Sequence, residues 1–474
     1  MGTLRPQIFT TERALVSFVT QAGARTAAML GTAIWGPINS VQTLNNLSEF
    51  VSIFGDDKSG NGVTGIKGAD LFFRNGGVLK FVRIEDGDAE YSAHTFETDD
   101  TDQLDVTAKY KGTYGNNIKV TITANAINVN SRDVTVTDGK IVEIFNNAGQ
   151  GFATTTALIN SINNSLSGSS LITVELNNAG NTESVPDAAD SYLTGGDDGE
   201  DGTLTTVIST VFDDILMGES FNFLLIPGQT SDALHTTLVG KLNVRATTEQ
   251  LYSRFISGVA VNETISTAIS RTTSGKRATI VAPNVKYTNR LDGSQGVLDG
   301  SYLACAYAGL LCRLSRQISG THETIIVEGL SIDTVTGREF YNKTEQEQLL
   351  QGKILPIAKI GGALQCVRGI TRETSPTSIF FDEVVVDIAD FIRESSEDYL
   401  NGTIGKPNTE ARRTVWAAGV DSILETAKRN EIIQDYNPTE IVQAASPDTY
   451  IATISIKPSY SVNFINLNIN INWG

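Results

Sequence analysis

Three histidines, His94, His235 and His322, are the side chains of this sequence best suited to proton transfer or metal ligation near neutral pH. None stands at metal-ligand spacing from another. Thr321-His322-Glu323-Thr324 begins like the zinc-binding helix of a metalloprotease but never reaches a second histidine. No Gly-x-Ser-x-Gly nucleophile elbow occurs, although counting residues leaves a Ser-His-Asp arrangement open. Gly60-Asn61-Gly62-Val63-Thr64-Gly65 matches the dinucleotide-binding pattern by letters. It follows the polar stretch Asp56-Asp57-Lys58-Ser59 rather than a strand, so it reads as a loop with no phosphate to cradle. The acidic run Asp197 to Asp201 has too few ordered ligand positions for a calcium loop. Cys305, Cys312 and Cys366 make an odd count, which fits a reducing compartment better than a disulfide framework. We therefore expect no catalytic residues, no metal and no cofactor.

The elements that would position any site come next. With 474 residues the chain exceeds one ordinary core, so two to four domains are expected. A hydrophobic fraction of 40% with 19% charged residues is globular rather than disordered. The net charge is −18, and residues 141–240 hold thirteen acidic residues and no Lys or Arg, a surface that would repel phosphate. Nucleic acid is therefore not an expected partner. The start, Met1 to Pro6, lacks the pattern of a signal peptide, and the longest apolar run, Tyr302 to Leu311, is too short to span a bilayer, so no direct membrane insertion is expected.

Met29 to Ile34 reads as a buried strand, Leu47 to Phe54 as a helix with Ser48 as cap and Gly55 as stop, and Val78 to Ile84 as a strand. Residues 98–197 turn rich in Thr, Asn, Val and Ile, with alternation in Ile118 to Thr123 and Val134 to Val142, which predicts an all-β module. Gly195 to Gly202 reads as a flexible acidic linker. Beyond it, apolar strands (Phe221 to Pro227, Ala278 to Pro283) alternate with helical patterns (Ser231 to Val244, and the small-residue, all-round apolar Ser301 to Ser315), which implies an α/β layer. Two amphipathic helices follow, one through Val385, Ile388, Phe391 and Ile392, the other over Arg412 to Asn430, and then a strand from Tyr450 to Ile456.

The tail alternates strictly: Ile465, Leu467, Ile469, Ile471 and Trp473 are separated by Asn. That is a strand of about 30 Å with one apolar face and no charge or proline to guard its edge. It is either the last strand of its own sheet or a strand that adds itself to another subunit's sheet.

Several segments resemble contractile tail sheath proteins. Gly31-Thr32-Ala33-Ile34-Trp35-Gly36-Pro37-Ile38-Asn39, followed by Leu47-Ser48-Glu49-Phe50 and Phe54-Gly55, is similar to their N-terminal signature. Leu71-Phe72-Phe73-Arg74-Asn75-Gly76-Gly77 before Lys80-Phe81-Val82-Arg83-Ile84 resembles their aromatic–Asn-Gly-Gly–strand motif. Gly112-Thr113-Tyr114-Gly115-Asn116 is similar to their Gly-x-Trp-Gly-Asn turn with Tyr for Trp, Leu193 to Gly199 to the exit from an inserted sandwich, and Pro407-Asn408 with Trp416 to the C-terminal domain. Residues around 283–300 and 361–366 depart from the family pattern.

The resemblance implies an α+β multidomain fold. It has an N-terminal arm and α/β part (1–97), an inserted β-sandwich (98–197), a subtilisin-like α/β domain without its triad (198–370) and a C-terminal tube-contacting domain (371–474) with a swapped strand at 461–474. It implies arms that pair with neighbouring copies, Gln7, Ile8, Phe9 and Thr10 at one end and the alternating tail at the other. Arg412, Arg413, Lys428 and Arg429 become the tube-facing candidates. The implied partners are further copies in a helical sheath, an inner tail tube protein, and baseplate and tail terminator proteins. The implied place is a virion tail assembled in a host cytoplasm. Another β-rich tail component and a subtilisin-like hydrolase are the competing readings.

Overall fold

The computed structural model describes residues 25–56, 63–98, 102–177, 188–200, 204–407, 409–444 and 449–460. At its centre is an eight-stranded sheet in the order Ala363–Cys366, Leu355–Ile360, Ala278–Ala282, Arg254–Gly258, Phe223–Leu225, Thr26–Gly31, Val78–Arg83, Val41–Leu44. Neighbours run parallel except at the two outer pairings, which are antiparallel. The inner strands Thr26–Gly31, Phe223–Leu225 and Ala278–Ala282 are buried on both faces, which is why their sequences are almost wholly apolar.

Side chains alternate between two cores. Ala27, Met29, Phe81, Phe223 and Ile256 pack with the helices Gly65–Asn75 and Gly300–Arg313. Ala28, Leu30, Val82, Leu224 and Phe255 pack with Leu204–Val211 and Asp232–Thr248. Thirteen residues of the helix Gly300–Arg313, Gly300 to Cys312, are buried, as its all-round apolar sequence predicts. It starts against the sheet so closely that a Cβ at Gly258 would fall on the Gly300 backbone.

Between the strand Val78–Arg83 and the helix Leu204–Val211 the chain builds two antiparallel sheets. One holds Ala93–Thr98, Asp102–Ala108 and Ile172–Leu176, the other Ala189–Tyr192, Lys119–Ala124, Arg132–Thr137 and Val142–Phe145. Leu104, Val106, Val120, Ile122, Val134 and Val136 belong to one buried cluster that continues into the body through Ile34 and Trp35. Three further strands, Asn284–Thr288, Gln295–Leu298 and Gly329–Ser331, form a small sheet beside the buried helix. The helices Glu383–Asn401 and Glu410–Arg429 and the hairpin Ile433–Gln443/Tyr450–Pro458 complete the described chain, and among the described residues there are ten α-helices.

Several expectations are corrected. The helix Leu47–Phe54 is capped by Asn46, not Ser48: Asn46 accepts from the Glu49 amide at 2.9 Å while the Glu49 carboxylate reaches back to the Asn45 amide at 2.8 Å. Val134 to Val142 is two strands, because Asp138 accepts from the Lys140 and Ile141 amides and turns the chain. The linker at Gly195 to Glu200 is not a loose tether. Asp198 is buried and accepts from the Thr113 amide at 2.7 Å and hydroxyl at 2.8 Å, and Glu90 bridges Asp197. Its Gly and Asp residues serve close packing and turn chemistry instead of disorder. Gly65 opens a helix rather than lying in a loop, while Gly60 to Gly62 lie outside the described residues.

Candidate assembly surface

The helix Glu410–Arg429 carries the four basic candidates. Thr409 caps it by accepting from the Arg412 amide at 3.3 Å. Val420, Ile423, Leu424 and Ala427, at i, i+3, i+4 and i+7, bury one face, where Leu424 meets Val384, Ile388 and Ile433 in a small separate core. The hairpin beyond it is irregular where Pro438 lacks an amide: its register shifts between Asn437 and Glu440, and the freed Thr439 amide bonds Asp421 of the helix at 2.8 Å.

The four cations do not form one patch. Arg412 and Arg413 stand in the first turn and Lys428 and Arg429 in the last, about 24 Å apart along the axis. Lys428 pairs with Asp435 at 2.9 Å and lies over the Tyr436 ring. Arg413 lies over the Tyr450 ring at 5.8 Å. Arg412 and Arg429 are exposed. Cations in the last turn complement the helix dipole, but Arg412 and Arg413 oppose it, so helix electrostatics do not account for their position.

The hairpin is the other feature of this surface. Among the described residues neither of its strands pairs with a third, which leaves two open edges. Apolar grooves flank it. One of about 580 Å³ is lined by Leu400, Ile404, Trp416, Ile441 and Tyr450. The other, of about 380 Å³, is lined by Phe380, Val385, Ile392, Ile454 and Ile456. Ile404, Val442 and Ile451 are exposed beside them. The arm candidates Gln7, Ile8, Phe9 and Thr10, and Ile465, Leu467, Ile469, Ile471 and Trp473, lie outside the described residues.

The histidines separate. His94 packs edge-on against Phe96 in the strand Ala93–Thr98, His322 sits in a loop at φ 59°, and His235 is buried under the sheet. His235 Nε2 lies 3.1 Å from Ser257 Oγ and 3.0 Å from the Gln229 carbonyl, a Ser–His contact that no local motif signals because the residues sit on different elements. It is not a nucleophile–base pair. Arg271, not a carboxylate, donates to Nδ1 at 3.5 Å, so Nε2 carries the hydrogen and gives it to Gln229. Both residues are sealed from solvent, and burial pushes the imidazole down to about 4. Among the described residues no cluster of three or more His, Cys, Asp or Glu could hold a metal, and no helix is long and apolar enough to cross a membrane.

Four of the segments that carry the sequence resemblance, around Trp35, Arg83, Gly112 to Asn116 and Gly196, meet at the junction of body and insertion. Trp35 stacks edge-on with Tyr110 at 5.2 Å and tilts against Tyr114 at 5.3 Å. Gly112 has φ 127°, and a Cβ there would fall on the Ile34 carbonyl. Asn116 accepts from Ser92 at 2.8 Å and from the Gly196 amide at 2.9 Å. Arg83, fully buried, donates to the Gly36 and Lys111 carbonyls at 3.0 and 2.8 Å, joining both sides.

No protein-family model matches the chain. By sequence it is 24% identical over 297 residues to a protein of Enterococcus phage phiEF24C described as "Putative tail sheath protein". The match covers 61% of this chain and 50% of that one, so the chain spans about half the length of the curated relative it matches. By structure it is similar to the sheath tail protein of Listeria innocua, with TM-score 0.68 and 17% identity over 92% of both chains. It is also similar to the helical sheath of the anti-feeding prophage in its contracted state, with TM-score 0.56 and 10% identity over 99% of both chains. The chain has the fold of the contractile tail sheath proteins, the family that its sequence motifs resemble.

Proposed function

We propose that the chain is the subunit of a contractile tail sheath, which polymerises helically around an inner tail tube and shortens to drive that tube through a target envelope. The observation that carries this reading is the correspondence of the fold, over nearly the whole of both chains, with a helical sheath in its contracted state. The two-stranded hairpin with open edges and apolar grooves supports it, because such a surface is completed by added strands. In this reading Gln7 to Thr10 and Ile465 to Trp473 are the arms that neighbouring copies exchange. The insertion is a β-sandwich, and the central sheet is a subtilisin-like layer doing no chemistry. Arg412 and Arg429 face the tube, and baseplate and terminator proteins close the two ends. The sheath would sit in a virion tail or a related injection particle.

The work of contraction has to come from burying more surface between subunits. An extra 400 Å² of apolar contact corresponds to about 10 kcal/mol per subunit at about 25 cal/mol per Å², before entropic costs. The extended state is then held by a barrier. Exchanged strands let rigid domains slide without separating, since each hydrogen bond adds about 1 kcal/mol net. Deleting residues 461–474 tests the reading. The truncated chain should fold and stay monomeric, while the full chain forms hollow tubes under electron microscopy. Tubes from the truncated chain refute the strand exchange.

A further inference from the structure

The N-terminal edge of the central sheet presents three buried arginines. Arg25 precedes the strand Thr26–Gly31, Arg254 begins Arg254–Gly258, and Arg277 precedes Ala278–Ala282. The helix Glu383–Asn401 answers with Glu383, Asp387 and Asp390 at i, i+4 and i+7, all buried on one face. Arg277 pairs with Asp390 at 3.0 and 3.2 Å. Glu383 accepts from the Tyr307 hydroxyl at 2.5 Å and the Gly320 amide at 3.1 Å.

Asp387 is different because the two arginines that share it come from the starts of two separate strands, whereas Asp390 takes Arg393 of its own helix, at 3.4 Å, beside Arg277. Arg254 takes it bidentately at 3.0 and 3.1 Å, and Arg25 takes the same carboxylate at 2.7 Å. The side chains of Arg25, Arg254 and Asp387 are 2%, 1% and 9% exposed, so water screens none of these contacts. Arg25 also donates to the Leu314 carbonyl at 2.9 Å, at the end of the buried helix. Apolar residues of similar volume would hold such an interface as well or better, so stability alone does not call for ions here; what the ions add is direction and register.

We propose that Asp387 is a mechanical joint, fastening the root of the N-terminal segment directly to the helix Glu383–Asn401, which shares one core with the C-terminal helix and hairpin. Tension arriving at Arg25 then enters that helix without first crossing the sheet. This rests on the reading that neighbouring copies are linked through their terminal segments. It makes the subunit respond to a pull at one terminus by moving both units together.

The test is constant-force stretching of single full-length chains. In one geometry the handles are at the N-terminus and at Ala418→Cys. In the other they are at Thr237→Cys and Ala418→Cys. The three native cysteines are buried and do not compete for the handles. Arg25→Met removes one guanidinium and leaves Arg254 paired with Asp387, which avoids an uncompensated carboxylate. In the N-terminal geometry it should shorten the lifetime of the docked C-terminal unit at least about tenfold. In the second geometry it should change the lifetime less than about twofold. Equal shortening in both geometries, or none in the first, overturns the joint. Single chains need not polymerise for this measurement, so a failed sheath assay would sink the proposed function and leave the joint standing.

Discussion

Glu394 and His235 should oppose each other in the pH dependence of stability, and Glu394→Gln should separate them. Glu394 lies on the helix Glu383–Asn401, 3.5 Å from Arg316, with Asp387, Asp390 and Asp398 on its own helix and Arg245 beyond. Burial pushes its carboxyl up to about 7, and Arg316 offsets this only in part. The folded chain therefore holds this proton more tightly than the unfolded one. The group contributes stability below about pH 4.5, and that stability is lost as pH rises toward 7. His235 is depressed to about 4, so the folded chain holds its proton less tightly, and stability is lost as pH falls from about 6.5 to 4. A tenfold change in proton affinity between the folded and unfolded chain is worth about 1.4 kcal/mol at full effect. With 30% of the Glu394 side chain exposed, screening reduces its share to about 2 kcal/mol. The wild-type curve should be nearly flat between pH 5 and 6.5. Glu394→Gln should be about 2 kcal/mol more stable than wild type at pH 8, level with it near pH 4, and should decline steadily toward acid. Urea unfolding of the monomer, followed by circular dichroism at several pH values, measures this. A variant curve parallel to wild type would refute the assignment.

Gly258→Ala should abolish soluble expression or lower the melting temperature by more than 10 °C, because the added Cβ meets the Gly300 backbone, which no rotamer change can move. Leu424→Ala should cost about 3 kcal/mol and speed hydrogen exchange across the hairpin Ile433–Gln443/Tyr450–Pro458, while the central sheet keeps its protection. Arg412→Glu with Arg429→Glu should leave the melting temperature within a few degrees of wild type and lower sheath–tube co-assembly in a pelleting assay. Unchanged co-assembly would remove these residues from the tube face.

What could be read from the amino acids alone was whatever is decided locally. The buried strands of the central sheet announced themselves as continuous apolar runs, and Gly300–Arg313 as a helix apolar all round, because burial on every side leaves no polar period. The amphipathic helix Glu410–Arg429 was legible from Val420, Ile423, Leu424 and Ala427, since a half-buried helix has to show its spacing. The junction motifs could be quoted from the sequence, but their reason could not. Gly112 is required by the Ile34 carbonyl, and Asn116 by Ser92 and Gly196, residues as many as 80 positions away.

Tertiary structure alone decided the rest. Gly195 to Glu200 has the composition of a tether, yet Asp198 is drawn inside by two donors on Thr113. The Ser257–His235 contact joins a strand to a helix, and only the fold shows that Arg271 occupies the place where a carboxylate would make it a base. Nothing local in the sequence marks the arginines at 25, 254 and 277 for burial. Their burial against Asp387 and Asp390 depends on bringing together residues up to 362 positions apart. Spacing along a chain records the neighbours a residue has within one element. It does not record which distant side chain will neutralise a charge, because that is settled only when the elements pack.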